Sequence, residues 1–157
     1  MVVHQTEEAV RWIQAGACRV IGHIEGLSDP AEFIRAARDA SVPIDSPLSA
    51  EVGLAIGIET PLEELYPYVP DIDFIQCMGI ARIGYQGEEF DERVIPKICT
   101  LREAFPDRII SVDGGVSEES APRLVEAGVE RLVSGSAILE ADDKRDAVSF
   151  FRSLGNE

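Results

Sequence analysis

The carboxylate-and-glycine step Asp113-Gly114-Gly115 closes the apolar run Ile109-Ile110-Ser111-Val112. About twenty residues on, Gly135-Ser136 closes a second run, Arg131-Leu132-Val133-Ser134. Both runs read as short buried strands that end in glycine-rich turns. A glycine lets the backbone approach a ligand closely, and two adjacent strand ends with bare N–H groups suit a phosphate dianion. Ser136 can donate through both its N–H and its hydroxyl. The carboxylate beside them is placed for proton chemistry. The plainer reading is a tight turn, with Asp113 capping the following helix.

The elements that must hold these residues alternate along the chain. Apolar strand candidates span 18–24, 51–57, 72–80, 109–113 and 131–135; amphipathic helix candidates span 6–15, 30–40, 61–67, 91–105, 118–127 and 143–153. Short strands between helices argue for a parallel sheet of βα units. Asp29-Pro30-Ala31-Glu32 and Thr60-Pro61-Leu62-Glu63 each offer an N-cap, a first-turn proline and a capping-box glutamate. Ser117-Glu118-Glu119 puts a cap and two negative charges at another helix start. Gly16 and Gly128 stand where left-handed caps would end helices. A faint repeat aligns 11–21 with 123–133 without gaps, each a helix end, a glycine stop and a buried strand. The segment 41–49 reads as a turn-rich connection, and residues 1–157 as a single domain.

Composition bounds the partners. The 157 residues carry 14 Lys+Arg against 29 Asp+Glu, a formal net charge of −15. That opposes nucleic acid and anionic membranes, but not an anionic small ligand met by aimed backbone amides. No apolar run approaches the roughly 18 residues of a membrane span, and the N-terminus lacks signal-peptide character, so the chain reads as cytoplasmic. Cys18, Cys77 and Cys99, an odd number without CxxC spacing, read as buried free thiols. His23 and Glu25 share a strand face by period two, with His23 a hydrogen-bonded structural histidine. Phe74, Met78 and Trp12 read as packing residues.

Taken in order, several runs resemble ribulose-phosphate 3-epimerase. They are Glu51-Val52-Gly53-Leu54-Ala55-Ile56 with Thr60-Pro61-Leu62-Glu63-Glu64-Leu65, Asp73-Phe74-Ile75-Gln76-Cys77-Met78, Ser111-Val112-Asp113-Gly114-Gly115-Val116, Ala121-Pro122-Arg123-Leu124-Val125-Glu126-Ala127-Gly128, and Val133-Ser134-Gly135-Ser136-Ala137-Ile138. His23-Ile24-Glu25 resembles the end of that family's fourth strand. The resemblance implies an α/β fold of the ribulose-phosphate-binding (β/α)8 TIM-barrel type, here an incomplete barrel of about five parallel strands. It implies interconversion of D-ribulose 5-phosphate and D-xylulose 5-phosphate with a divalent metal (Zn, Fe, Mn or Co). Asp113 would serve as catalytic acid–base and metal ligand. Gly114, Gly115, Gly135, Ser136, Gly84, Gly87 and Met78 would bind a phosphorylated pentulose.

The departures from the family are as informative. Its remaining metal ligands, on the second and third strands, have no counterpart; Met1-Val2 matches the tail of the third-strand motif, and His4 lies past the ligand position. The chain therefore reads as a truncated product or one with a misassigned start. In the phosphate loop, Gly84, Tyr85, Gly87 and Phe90 match, but Gln86 replaces a glycine and Glu88 a neutral glutamine, an unfavourable charge that Arg82 could offset. Rival readings are a non-catalytic phosphosugar-binding or assembly subunit and another phosphate-binding barrel enzyme. With three units absent, strands 18–24 and 131–135 would each lose a neighbour, which predicts a homo-oligomer or poor solubility.

Overall fold

The computed structural model describes residues 2–3, 5–40, 50–82, 84 and 88–155. The connection at 41–49, His4, Tyr85, Gln86 and Gly87 lie outside the described residues. The described residues form two compact units, Met1–Ile56 with Thr60–Gln76, and Gly57–Glu59 with Cys77–Glu157.

In the first unit, β1 (Val2–Val3) pairs in parallel with β2 (Arg19–His23), and β2 pairs in parallel with β3 (Glu51–Ile56). Helix α1 (Thr6–Gln14) buries Ala9 and Ile13, four apart. Helix α2 (Pro30–Asp39) buries Phe33, Ile34 and Ala37. That spacing draws one apolar stripe down each helix, and each large side chain so enclosed contributes about 1.5–3 kcal/mol. Asp29 caps α2 as the sequence predicts, its carboxylate accepting from the Glu32 N–H at 2.9 Å, with Pro30 in the first turn. The expected strand edge at 18–24 is corrected: β1 lies beside β2, with Val2 opposite Ile21 and Val3 opposite Gly22.

The start of β4 (Phe74–Met78) belongs to the first unit and its end to the second. Every residue of β4 is buried, as a strand covered on both faces requires. In the first unit, Asp73 ties the start of β4 to β3. Its N–H donates to Val52 O at 2.8 Å, its carboxylate accepts from the Val52 N–H at 2.7 Å, and Arg38 pairs with that carboxylate at 2.8 Å.

In the second unit, β5 (Ile109–Asp113) pairs in parallel with β6 (Arg131–Val133). Helix α3 (Val94–Ala104) buries Val94, Ile98 and Leu101. Helices α4 (Ala121–Glu126), α5 (Ser136–Leu139) and α6 (Lys144–Ser153) follow. Arg102 fastens one end of this unit: it donates to the carbonyls of Pro106, Arg108 and Gly128 and pairs with Glu130 at 2.8 Å, while Glu130 also accepts from the Ile110 N–H.

The repeat predicted between 11–21 and 123–133 recurs in the backbone. Ala15 and Ala127 donate to Arg11 and Arg123, Gly16 and Gly128 to Ile13 and Val125, and Ala17 and Val129 to Trp12 and Leu124. Both glycines take the left-handed cap, with φ of 102° and 104°.

Some expectations are corrected. Residues 61–67 form no α-helix but two 3-10 segments, Leu62–Glu64 and Tyr66–Asp71, because Pro67 and Pro70 remove donors. Thr60 is no N-cap; its hydroxyl donates to Glu25 at 2.6 Å. Of the thiols only Cys77 is buried: Cys18 precedes β2, and Cys99 sits one position, or about 100°, from the inward Ile98. Trp12, adjacent to Ile13, is 41% exposed by the same geometry.

Candidate functional site

Three strands end together in the second unit, and the backbone explains why they can. Gly79, just past β4, donates its N–H to Asp113 O at 2.8 Å. A Cβ at Gly79 would stand 2.3 Å from Gly114 O. Only glycine lets the two strand tips approach so closely. On the other side, Asp113 lies opposite Val133 in the β5–β6 register, so the turn after β5 and the turn after β6 are neighbours. The Ser134 hydroxyl joins them, donating to Val116 O at 3.1 Å.

Asp113 is the last residue of β5 and half-buried. Gly114 and Gly115 follow with φ of 93° and 65°, values that ordinary side chains rarely adopt. The Ser120 hydroxyl fixes this turn by donating to Gly115 O at 2.8 Å. Ser117 caps the following turn: its hydroxyl accepts from the Ser120 N–H at 3.2 Å and its carbonyl from the Ala121 N–H at 2.9 Å. The cap predicted at Ser117 is thus present, one turn ahead of α4. Gly135 and Ser136 are exposed at the start of the four-residue α5. Met78, the last residue of β4, is buried.

The segment 88–92 crosses the glycine turn. A Cβ on Gly115 would meet Phe90 Cα at 2.7 Å, and Asp91 donates its N–H to Gly79 O at 2.8 Å. A depression of about 630 Å³ is lined by Ala81, Arg82 and residues 88–92. Several charges here are paired. Arg82 grips Glu88 through Nε at 3.1 Å and Nη2 at 2.6 Å. Arg93 bonds Asp91 at 2.7 Å and Glu59 at 2.5 Å, and Arg123 pairs with Glu92. The hydrogen bond from Arg93 holds the Asp91 carboxyl below its usual range, and Arg123 does the same for Glu92.

The structure thus brings together Asp113, Gly114, Gly115, Gly135 and Ser136, with Met78 buried at the end of β4. Gly84 sits in an exposed turn, open on the side where a Cβ would project, and Gly87 lies outside the described residues. Sequence reasoning missed Gly79, Ser120 and Ser134. A glycine just past a strand is a readable signal for Gly79; the serines bond only once the turns exist. In the first unit, Glu25 leaves the strand for a 3-10 turn, so period two does not place it; its carboxylate lies 3.6 Å from the buried His23 Nδ1. Among the described residues, no three or more His, Cys, Asp or Glu side chains gather to hold a metal ion, and no helix is long and apolar enough to cross a membrane.

Comparison with known proteins adds the following. The ribulose-phosphate 3 epimerase family profile matches residues 1–139. The ribulose-phosphate 3-epimerase of Eremothecium gossypii is 28% identical over 153 residues, covering 97% of this chain and 60% of its own. That of Candida glabrata is 27% identical, covering 93% of this chain and 57% of its own. The chain therefore spans about 60% of the length of these curated relatives. Among solved structures, 3-hexulose-6-phosphate synthase from Salmonella typhimurium superposes with a TM-score of 0.73 at 19% identity, over 96% of this chain and 67% of that one. KGPDC from Streptococcus mutans gives 0.75 at 18%, with the same coverage. These likenesses show the fold, that of TIM-barrel enzymes.

Proposed function

The chain belongs to the ribulose-phosphate 3-epimerase family, and from that premise we propose that it binds a phosphorylated pentulose and moves the proton at C3. The observation that carries this is the adjacency of Asp113-Gly114-Gly115 and Gly135-Ser136 at paired strand ends. Backbone N–H groups of these turns hold the phosphate, as amide-rich strand ends can despite the acidic chain. The Asp113 carboxylate faces the sugar. It accepts the C3 proton, leaving an enediolate over C2 and C3; water protonates the opposite face of C3, and the hydroxide so formed takes the proton back from Asp113, which interconverts D-ribulose 5-phosphate and D-xylulose 5-phosphate.

The family resemblance also implies a divalent metal, with Asp113 as one ligand. The described donors do not fit a zinc-type centre, which takes three or more protein donors, because no such group gathers among the described residues. The chemistry proposed for this chain is carried by Asp113 and the backbone. We place the protein in the cytoplasm, as three thiols without a disulfide favour, and as one barrel-type domain that associates with copies of itself.

Turnover tests the reading. The purified chain is expected to interconvert the two pentulose phosphates, and Asp113→Asn to lose at least about a thousandfold in rate. Binding of the sugar phosphate without turnover, unchanged in Asp113→Asn, would instead support a non-catalytic phosphosugar-binding subunit. The Glu88 carboxylate already on Arg82 is the observation favouring that second reading.

A further inference from the structure

Arg82 and Glu88 flank the loop that follows β4, and their pairing bears on which anion the site takes. The guanidinium meets the carboxylate side-on through two donors, Nε and Nη2, at 3.1 and 2.6 Å. The Arg82 side chain is 71% exposed, while that of Glu88 is 19% exposed. The cation thus lies open at the depression and the anion is the enclosed partner. Two residues after Glu88, Phe90 lies over Gly115, so the pair is joined by a short stretch of backbone to the turn that carries Asp113.

We propose that Glu88 is a resident anion on Arg82 and that a dianionic phosphate ester displaces it, making Arg82 a phosphate ligand and Glu88 a specificity-determining residue. This deepens the phosphosugar reading above and rests on it. The same two-donor fork that fits a carboxylate fits a phosphate. On the exposed Arg82 side the pair is open to water, so an incoming anion can reach the guanidinium. A doubly charged phosphate outcompetes the resident carboxylate, whereas a singly charged sugar acid meets an equal competitor. Exchange moves no covalent bond: two N–H donors pass from Glu88 to phosphate oxygens. The displaced carboxylate then stands close to the dianion, which lowers affinity and sets a threshold that doubly charged phosphates clear and singly charged acids do not.

Titration calorimetry with inorganic phosphate and D-ribulose 5-phosphate tests this on the full chain. Glu88→Gln is expected to bind both about three- to tenfold more tightly than the parent chain. Adding Arg82→Met is expected to erase that gain. Glu88→Ala, with the same expectation, serves if Glu88→Gln melts early. Unchanged or weaker binding in the Glu88 variants, or a gain that survives Arg82→Met, overturns the exchange while leaving the phosphosugar reading intact. No binding of either ligand by the parent chain or any variant overturns both.

Discussion

Cys77 shows how strongly position decides chemistry in this chain. Its thiol is fully enclosed in β4, and burial pushes its pKa from 9.0 up to about 12 against a smaller lowering by Lys97. In the unfolded chain the thiol ionises near its ordinary value. The folded state is thus fully favoured below about pH 9 and loses stability as pH rises towards 12. Urea midpoints at pH 8 and pH 10 check this: Cys77→Ala is expected to flatten the alkaline fall, and an equal fall in both proteins would contradict it. The exposed Cys18 and Cys99 carry no such burial. Asp113 has the opposite surroundings, half-buried at a strand tip within reach of a ligand.

At the scale of elements, the contact between the ends of β4 and β5 is the most sensitive point. A Cβ at Gly79 would meet a carbonyl oxygen at 2.3 Å, and backbone cannot swing aside as a flexible side chain can. Gly79→Ala is therefore expected to cost about 2–4 kcal/mol, read as a lower urea midpoint with loss of phosphate binding. A change below about 0.5 kcal/mol would show that the tips are not packed this way. Much of this layout was legible in sequence. The strands ending at Asp113 and near Gly135, the α2 cap at Asp29 and the repeated glycine stops follow from local chemistry, and local hydrogen bonds satisfy them. The failures are where tertiary partners compete. Thr60 reads as a cap but bonds Glu25, 35 residues away in sequence. Residues 61–67 keep a helical pattern while two prolines hold them to 3-10 turns. Gly79 shows its purpose only against Gly114.

For the whole molecule, a net charge of −15 means that any anion must be held by local amides and paired arginines rather than by the global field. Among the described residues β6 has β5 as its single strand neighbour, and Val133 at its end and Leu139 in α5 are 44% and 67% exposed. An apolar sheet edge of this kind favours association. Light scattering is expected to return the mass of a dimer or larger species, and a monodisperse monomer would contradict that. The proton chemistry is tested most directly in heavy water, by following the C3 hydrogen of D-ribulose 5-phosphate by proton NMR. This readout needs removal of the C3 proton and not a completed epimerisation. The chain is expected to wash that signal out, with Asp113→Asn binding the sugar phosphate but leaving the signal intact. A C3 signal that persists with the unaltered chain, or fades equally with Asp113→Asn, would contradict the assignment of Asp113 as the base.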